Sequence, residues 1–287
     1  MTTDERPPFR HVAVVGVGLI GGSIALGLRA AWPGIRITGV DRPSVLAHAT
    51  GAGAIDRTAA SVGELAEDVD LVVLAAPVRQ NQRLLAEMSP IRPGRIVSDV
   101  GSTKRDIVRA ATALGVSPQF VGGHPIGGAE RGGFGFARPD LFKGRPWILT
   151  PEPLSDADAV HRLETLVRGL GARPTSLPAA EHDRLMAYLS HLPQLAASAL
   201  MDAVGTAVQG DGLRLAGRGL QDTTRLASSP ADVWREITQS NADVLREALD
   251  RLIERLSDLR ADLDRGESLT AIFDSAARWR AEMMRGE

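Results

Sequence analysis

A glycine-rich turn near the N-terminus constrains the fold of this chain more than any other segment. The segment Gly16–Gly21, with the sequence G-V-G-L-I-G, follows the apolar stretch His11–Gly16 and opens a helical pattern. Strand, tight turn and helix in this order are typical of a dinucleotide-binding βαβ unit. Gly16 would form the tight turn, Gly18 would let the backbone approach a pyrophosphate, and Gly21 would allow close helix–strand packing.

The residues after the turn extend this prediction to a particular cofactor. The free N–H groups at the helix start, at Leu19 and Ile20, would hold the phosphate charge. Asp41 ends the second predicted strand, 20 residues beyond Gly21. A carboxylate there accepts the adenosine ribose hydroxyls and repels a 2′-phosphate, so NAD is favoured over NADP. The adjacent Arg42 opposes this preference, because a neighbouring Arg can accommodate that phosphate.

Seven short stretches rich in Val and Ile alternate with helical patterns up to Leu177. They are His11–Gly16, Ile35–Asp41, Asp70–Ala75, Arg95–Asp99, Gln119–Gly123, Pro146–Thr150 and Arg173–Leu177. Strands separated by helices predict a Rossmann-type α/β fold with a mainly parallel sheet. Ala76 and Pro77 come directly after the stretch Asp70–Ala75, at the sheet edge where ligands bind in such folds.

The strand signal ends at Pro178, and the remainder is predicted to be helical. We therefore predict a dinucleotide-binding domain over residues 1–177 and an all-helical substrate and dimerisation domain over residues 178–287. A helix start is predicted at Ser229–Asp232, where a Ser cap precedes Pro and an acid. The helix that begins there would carry an apolar seam at a spacing of three and four residues. Its members are Leu245, Leu249, Leu252, Leu256, Leu259 and Leu263. The seam suits an intramolecular core and a dimer interface equally.

Composition excludes several classes of function. A formal net charge of −2 gives no electrostatic footprint for nucleic acid or an anionic membrane. The absence of cysteine excludes disulfides, thiolate catalysis and Cys-based metal sites, and no metal is predicted. The uncharged run Val12–Leu28 contains five glycines and is too short for a membrane span. With no apolar signal stretch in Met1–Arg10, a cytoplasmic location is expected.

His124 is the main candidate for chemistry beyond the nucleotide. It stands between glycines and a proline at the end of a predicted strand, where a core position is disfavoured. Imidazole is the natural base for removing an alcohol proton while hydride leaves the same carbon. From position alone, a loop His that caps backbone groups is an equally good interpretation.

Five motifs occur in order along the chain. They are Gly16–Ser23, Asp99–Lys104 (D-V-G-S-T-K), Gly123–Gly128 (G-H-P-I-G-G), Ser190–Pro193 (S-H-L-P) and Asp222–Ala227 (D-T-T-R-L-A). With them the sequence resembles the prephenate dehydrogenases and their arogenate-using relatives, from Val12 to about Trp234. The resemblance implies an oxidative decarboxylation in tyrosine biosynthesis, in which hydride passes from C4 of a cyclohexadienol to NAD and the ring carboxylate leaves as CO₂. It also implies a homodimer that forms through the helical domain.

The resemblance also implies roles for individual residues. His124 would accept the proton of the 4-hydroxyl, and Ser102 would orient both groups. Thr103 and Asp106 are predicted to cap the next helix, which leaves the Ser102 hydroxyl free, although Ser102 is itself a possible cap. Arg225 would bind a substrate carboxylate, whereas an ion pair with Asp222 is the simpler structural interpretation.

The remaining candidates lie around the same predicted pocket. The resemblance implies that Trp234 walls it, where packing is the alternative, and that Glu130 tunes its charge. At about 100° per residue, His182 and His191 lie on opposite faces of one helix, so His191 is the better pocket candidate unless a kink at Pro193 brings them together.

Three alternative functions are compatible with the same residues to different degrees. Many family members have a second His where this chain has Gln194, which leaves arogenate open as the substrate. A β-hydroxyacid dehydrogenase is disfavoured, because that class relies on a Lys in the helical domain and this chain has none after Lys143. A non-catalytic NAD-binding protein that has kept the fold is the third alternative.

Overall fold

The centre of the chain is a mainly parallel sheet. A computed structural model describes residues 6–127 and 131–285. Within them an eight-stranded sheet has the order β3-β2-β1-β4-β5-β6-β7-β8. The strands are β1 (His11–Val15), β2 (Arg36–Val40), β3 (Arg57–Ala59), β4 (Leu71–Leu74), β5 (Ile96–Asp99), β6 (Phe120–Pro125), β7 (Pro146–Thr150) and β8 (Arg173–Ser176). The first six strands pair in parallel, β7 pairs antiparallel to β6, and β8 pairs parallel to β7.

Helices connect these strands and make up most of the chain beyond them. They are α1 (Leu19–Ala31), α2 (Pro43–Gly51), α3 (Val78–Glu87), α4 (Arg105–Ala113), α5 (Ala157–Gly169), α6 (Ala179–Met186), α7 (Leu192–Leu213), α8 (Arg218–Thr224), α9 (Ala231–Ser240), α10 (Ala242–Ala261) and α11 (Glu267–Arg285). The predicted fold class, a Rossmann-type sheet followed by a helical C-terminal region, is confirmed. The seven predicted strands are present, and β3 was missed because it is short and largely exposed.

Burial of both sheet faces explains the continuous apolar strands. All five residues of β1 are buried. Val12 and Val14 belong to one apolar core cluster, while Ala13 and Val15 belong to another. Successive side chains of a strand point to opposite faces, so the two clusters lie on the two sides of the sheet. Because β1, β4, β5 and β6 run parallel, their carboxyl ends lie at the same edge of the sheet.

The helical region departs from the prediction in its continuity. The helix that starts after Pro230 ends at Ser240, and Asn241 interrupts the helical backbone with φ −129° and ψ 28°. The predicted single helix is therefore wrong: the leucine seam from Leu245 to Leu259 lies on a separate helix, α10, and Leu263 follows the end of that helix. The chain divides into two compact units, Met1–Asn241 and Ala242–Glu287. The domain boundary after residue 177 stays a prediction.

The second unit exposes much apolar surface. Its seam ranges from Leu245, which is 3% exposed, to Leu256 and Leu263, which are 55% and 71% exposed. On α11, Phe273 and Trp279 are 63% and 66% exposed. Apolar side chains of this size seldom lie together in solvent without a functional reason. No helix among the described residues combines the length and apolar character needed to cross a membrane.

Candidate functional site

The glycine turn after β1 has the geometry of a phosphate cradle. Gly16 has φ +92°, which favours glycine, and a Cβ on Gly21 would lie 2.0 Å from the carbonyl oxygen of Gly16. A Cβ on Gly18 would meet nothing within 4 Å, so this face of the turn is open. Helix α1 starts at Leu19 with no side-chain cap and no acid in its first turn. Its N–H groups therefore remain available to an anion, and the turn fits a pyrophosphate.

Asp41 is held rigidly beside this turn. Its Oδ2 atom accepts a hydrogen bond from the Val17 N–H at 2.7 Å, and its Oδ1 atom accepts one from the Arg42 N–H at 2.7 Å. The Arg42 side chain is 83% exposed, with its Nε atom 3.9 Å from the Asp41 carboxylate. A cavity of about 690 Å³ is lined by Asp41, Arg42, Gly16, Ala76 and Pro77, among others. Its size and its carboxylate fit the adenosine half of a dinucleotide.

A second cavity continues from the same turn towards Ser102. It has a volume of about 490 Å³ and shares Gly18, Ala76 and Pro77 with the first. Leu19, Ile20 and Ser102 also line it, and α9 closes one side. The described residues provide no hydrogen-bond partner for the Ser102 hydroxyl, so it is free to bind a ligand. The shared residues place this cavity where the nicotinamide half would lie.

Three side chains form a hydrogen-bonded series at the end of β6. The Nδ1 atom of His124 lies 2.8 Å from the Nε2 atom of His182, whose Nδ1 atom lies 2.8 Å from Oδ1 of Asp183. Burial raises the pKa of Asp183, but hydrogen bonds from His182 and from backbone N–H groups outweigh it, and the pKa is lowered. The ionised carboxylate can only accept, so His182 carries its proton on Nδ1 and accepts on Nε2. His124 then donates from Nδ1, and its Nε2 atom is left as the basic nitrogen.

The electrostatics of the cluster keep these imidazoles neutral. Burial lowers the pKa of His124 well below its usual 6.5, and repulsion from His182, when His182 is protonated, and from the Lys104 ammonium adds to this effect. Burial also lowers the pKa of His182 and brings that of His191 to about 4. A neutral His124 is ready to accept a proton at neutral pH.

A buried ion pair fixes the backbone next to His124. The Nζ atom of Lys104 donates to Oδ2 of Asp99 and, at 2.7 Å, to the carbonyl oxygen of Gly123. The Oδ1 atom of Asp99 accepts from the Gly123 N–H at 3.1 Å. Both polar groups of Gly123 are thus held by one ion pair between β5 and α4. The sequence alone did not predict that Lys104 and Asp99 form this ion pair.

The expectation that His182 lies on the face away from the pocket is wrong, because the helix between the two histidines is not regular. Residues Ala187–His191 form a π-helical turn between α6 and α7. A π turn advances by less than 100° per residue, so faces assigned from the α-helical period are displaced. His182 lies directly on His124, whereas His191 packs its ring against Trp234, with centroids 6.0 Å apart.

The predicted cap of α4 is also wrong. The Thr103 hydroxyl lies 2.9 Å from Oγ of Ser240, and α4 has no side-chain cap from its N-cap residue. The carboxylate of Asp183 accepts instead from the N–H groups of Lys104 and Arg105, at 2.7 and 3.0 Å. Asp183 therefore connects His124, through His182, to the helix that comes after Ser102.

The remaining predicted site residues that the structure describes lie on α7, on α9 and in the turn that follows α8. Trp234 contacts His191, and Gln194 lies one turn beyond His191, buried with 4% exposure. Arg225 begins a 3₁₀ turn, Arg225–Ser228, and the structure gives its guanidinium no ion pair with Asp222. Glu130 lies outside the described residues. The substrate-binding roles of these residues stay predictions.

Two family models match the chain. Residues 24–175 match "Prephenate dehydrogenase, nucleotide-binding domain", and residues 178–274 match "Prephenate dehydrogenase, dimerization domain". A prephenate dehydrogenase of Bacillus subtilis is 34% identical over 277 residues, covering 94% of this chain and 75% of that protein. A cyclohexadienyl dehydrogenase of Zymomonas mobilis is 30% identical over 259 residues, covering 88% of each.

Solved structures agree with the family models. The prephenate dehydrogenase from A. aeolicus in complex with hydroxyphenyl propionate and NAD⁺ has a TM-score of 0.88 at 29% identity, covering 96% of this chain and 98% of that one. A Synechocystis arogenate dehydrogenase has a TM-score of 0.81 at 28% identity, covering 95% and 99%. The fold, the ordered motifs and these matches together establish that the chain belongs to the prephenate dehydrogenase family.

Proposed function

We propose that this protein catalyses the NAD-dependent oxidative decarboxylation of prephenate to 4-hydroxyphenylpyruvate in tyrosine biosynthesis. The observation that carries the proposal is the neutral His124, oriented by His182 and Asp183 at the same sheet edge as the nucleotide turn. A base held in this way serves proton removal from an alcohol. Membership of the family supports the substrate class.

The side chains have distinct tasks in this reaction. His124 accepts the 4-hydroxyl proton on Nε2, and the imidazolium that forms is stabilised through His182 by the Asp183 carboxylate. Ser102 orients the hydroxyl, and Arg225 binds a substrate carboxylate with its planar fork. NAD, when bound, supplies the acceptor for the hydride that leaves C4. The bond from the ring to its carboxylate then breaks, CO₂ leaves, and its electron pair completes the aromatic ring.

Arogenate is the alternative substrate, and its ammonium group is what distinguishes it. Gln194 was the reason to consider it, because a His is common at this position in the family. The Gln194 amide is uncharged, and both of its polar atoms bond within the protein. It therefore carries no charge that would distinguish the two side chains, and the proposal of prephenate rests on the relatives that act as prephenate dehydrogenases.

We further propose a cytoplasmic homodimer that assembles through the helical region 178–287. The exposed apolar residues of α10 and α11 support this assembly, among them Leu256, Phe273 and Trp279. The dimerization-domain model, which matches residues 178–274, supports it independently. Sedimentation of the purified protein should give twice the mass of one chain.

A two-by-two steady-state assay tests the catalytic proposal, with prephenate or arogenate and NAD or NADP. Prephenate with NAD should give the highest kcat/KM. The variant His124→Asn should lose most turnover while its affinity for NAD changes little. His161→Asn alters an exposed histidine on α5 and is the matched control. Wild-type protein that binds NAD yet turns over neither substrate would instead be a non-catalytic NAD-binding protein.

A further inference from the structure

We infer that Gln194 is a positioning residue that fixes the turn bearing Arg225, rather than a group that reads the substrate. The inference rests on the proposed function, because it assigns Arg225 to the substrate carboxylate. Gln194 would then hold a substrate-binding residue in place and would not contact the substrate itself.

Both ends of the Gln194 amide are engaged by the segment just after Arg225. Its Nε2 atom donates to the carbonyl oxygen of Leu226 at 2.7 Å, and its Oε1 atom accepts from Oγ of Ser229 at 3.1 Å. A carbonyl oxygen can only accept, so the contact with Leu226 determines which end of the amide is the nitrogen. A further contact of 3.3 Å joins Nε2 to Oγ of Ser198, one turn along α7. Both N–H groups and the oxygen of the buried amide thus have partners inside the protein.

The turn that carries Arg225 has little support of its own. Arg225–Ser228 is a four-residue 3₁₀ segment, and 3₁₀ hydrogen bonds are weaker than α-helical ones. It comes after the seven-residue helix α8, which is too short to be stable alone. Within the turn, the Ser229 N–H donates to the Leu226 carbonyl at 3.1 Å. The bonds from Gln194 attach this segment to the first turn of α7, next to His191.

This attachment determines where the guanidinium of Arg225 can reach. Arg225 is exposed and directly precedes Leu226, whose carbonyl Gln194 holds. Gln194 itself lies three residues after His191, which packs against Trp234. Through these contacts, the position of the helix that carries His191 helps to determine the position of Arg225. The Gln194 amide suits this place because it offers a donor to the Leu226 carbonyl and an acceptor to the Ser229 hydroxyl.

Kinetics of two variants and one control test this role. Gln194→Met keeps the volume and removes both hydrogen bonds, while Ser229→Ala removes only the bond to Oε1. We expect Gln194→Met to raise KM for prephenate about 10-fold and Ser229→Ala about 3-fold, each with kcat changed less than the KM, since each lost hydrogen bond weakens the hold on the turn. The affinity for NAD, measured by fluorescence titration, should stay within about twofold. Thr165→Ala removes a hydroxyl that donates to the His161 carbonyl oxygen within α5, outside the turn, and it serves as the matched control.

A double-mutant cycle with Arg225→Ala separates positioning from direct contact. If Gln194 acts through Arg225, adding Gln194→Met to Arg225→Ala should lower kcat/KM by less than about twofold. Losses that multiply would overturn the inference, because they would show an independent contact with the substrate. A parallel loss of NAD affinity in Gln194→Met would also overturn it, as a general packing defect. If Arg225→Ala leaves KM unchanged, the inference fails, whereas wild-type turnover of prephenate still upholds the proposed function.

Discussion

The Nδ1 atom of His124 lies 2.8 Å from the Nε2 atom of His182, although 58 positions of sequence separate the two residues. His182 in turn bonds the buried carboxylate of Asp183. The three groups have the arrangement of a base with an orienting partner and a charged terminus. Because His182 belongs to α6, a residue of the helical region determines which ring nitrogen of His124 carries the proton.

Removal of His182 should therefore impair chemistry more than binding. In His182→Asn, His124 loses the acceptor that holds its proton on Nδ1. Its Nε2 lone pair is then no longer directed towards the 4-hydroxyl of the substrate. A general base contributes about 10²- to 10⁴-fold, so the loss of its orientation should lower kcat about 10- to 100-fold. Steady-state kinetics at saturating NAD measure this, with KM for prephenate changed little. Activity equal to that of the His161→Asn control would contradict the role of His182.

The pH dependence of turnover should reflect the lowered pKa of His124. Protonated His124 cannot accept the substrate proton, so activity falls as pH drops through its pKa. Burial, His182 and Lys104 lower that pKa well below 6.5, so kcat/KM should stay constant as pH falls past 6.5 and decline only at lower pH. A pH profile of kcat/KM with prephenate checks the midpoint of this decline. A midpoint at or above 6.5 would mean that the imidazole is not shielded as described.

The buried histidines should also make the protein less stable in acid. His191 has a pKa of about 4 in the folded protein because of its burial, and about 6.5 when unfolded. Between these values the unfolded chain binds more protons, so the free energy of unfolding falls as pH drops from 6.5 towards 4. The contribution of His191 is on the order of 3 kcal/mol. Urea titrations at several pH values should show this loss, and His191→Gln should reduce it. An unchanged slope in that variant would contradict the assignment.

Alanine substitutions at two glycines of the same turn should cause different defects, one in folding and one in NAD binding. A Cβ on Gly21 would lie 2.0 Å from the Gly16 carbonyl, so Gly21→Ala should destabilise the fold. A Cβ on Gly18 meets no atom within 4 Å, so Gly18→Ala should fold normally. It should nevertheless bind NAD more weakly, because the methyl group occupies the approach of the pyrophosphate. Thermal melts and NAD titrations on both variants distinguish the two defects. Normal NAD affinity in Gly18→Ala would place the phosphates elsewhere.

Replacement of Asp41 should shift the cofactor preference towards NADP. The Asp41 carboxylate accepts two backbone N–H groups and so cannot turn away from a 2′-phosphate. Asp41→Ser removes this charge and leaves Arg42, which is highly exposed, free to bind the phosphate. We expect the ratio of kcat/KM for NADP to that for NAD to rise about 10- to 100-fold. Adding Arg42→Ala should cancel most of the gain, and a gain that survives it would exclude Arg42 as the phosphate partner.

The nucleotide half of the molecule could be predicted because its signals are local. The turn Gly16–Gly21, the strand that precedes it and the acid at Asp41 lie within about one βαβ unit. The central strands β1 and β4 are almost entirely apolar, since both faces of the sheet are buried there. Only β3 was missed, because its three residues are too short and too polar to give a pattern.

The arrangement around His124 could not be predicted, because it depends on long-range contacts. Asp183 caps α4 from 79 positions away, and no local pattern anticipates a cap that the chain supplies from another helix. The helical wheel that ranked His182 below His191 assumed a constant α-helical period. That assumption failed at the π turn Ala187–His191, a feature without a simple sequence signature.

The π turn makes the region intolerant of changes in chain length while leaving its exposed position, Leu189, tolerant of changes in side chain. Leu189, in the middle of the turn, is 68% exposed and accepts polar replacements at little cost. Deletion of the same residue would restore an unbroken α-helix and rotate α6 by about a quarter-turn or more relative to α7. His182 would then leave His124, although no residue of the cluster had been altered. Natural variants of this protein should therefore differ in the identity of residue 189 but keep the spacing between His182 and His191.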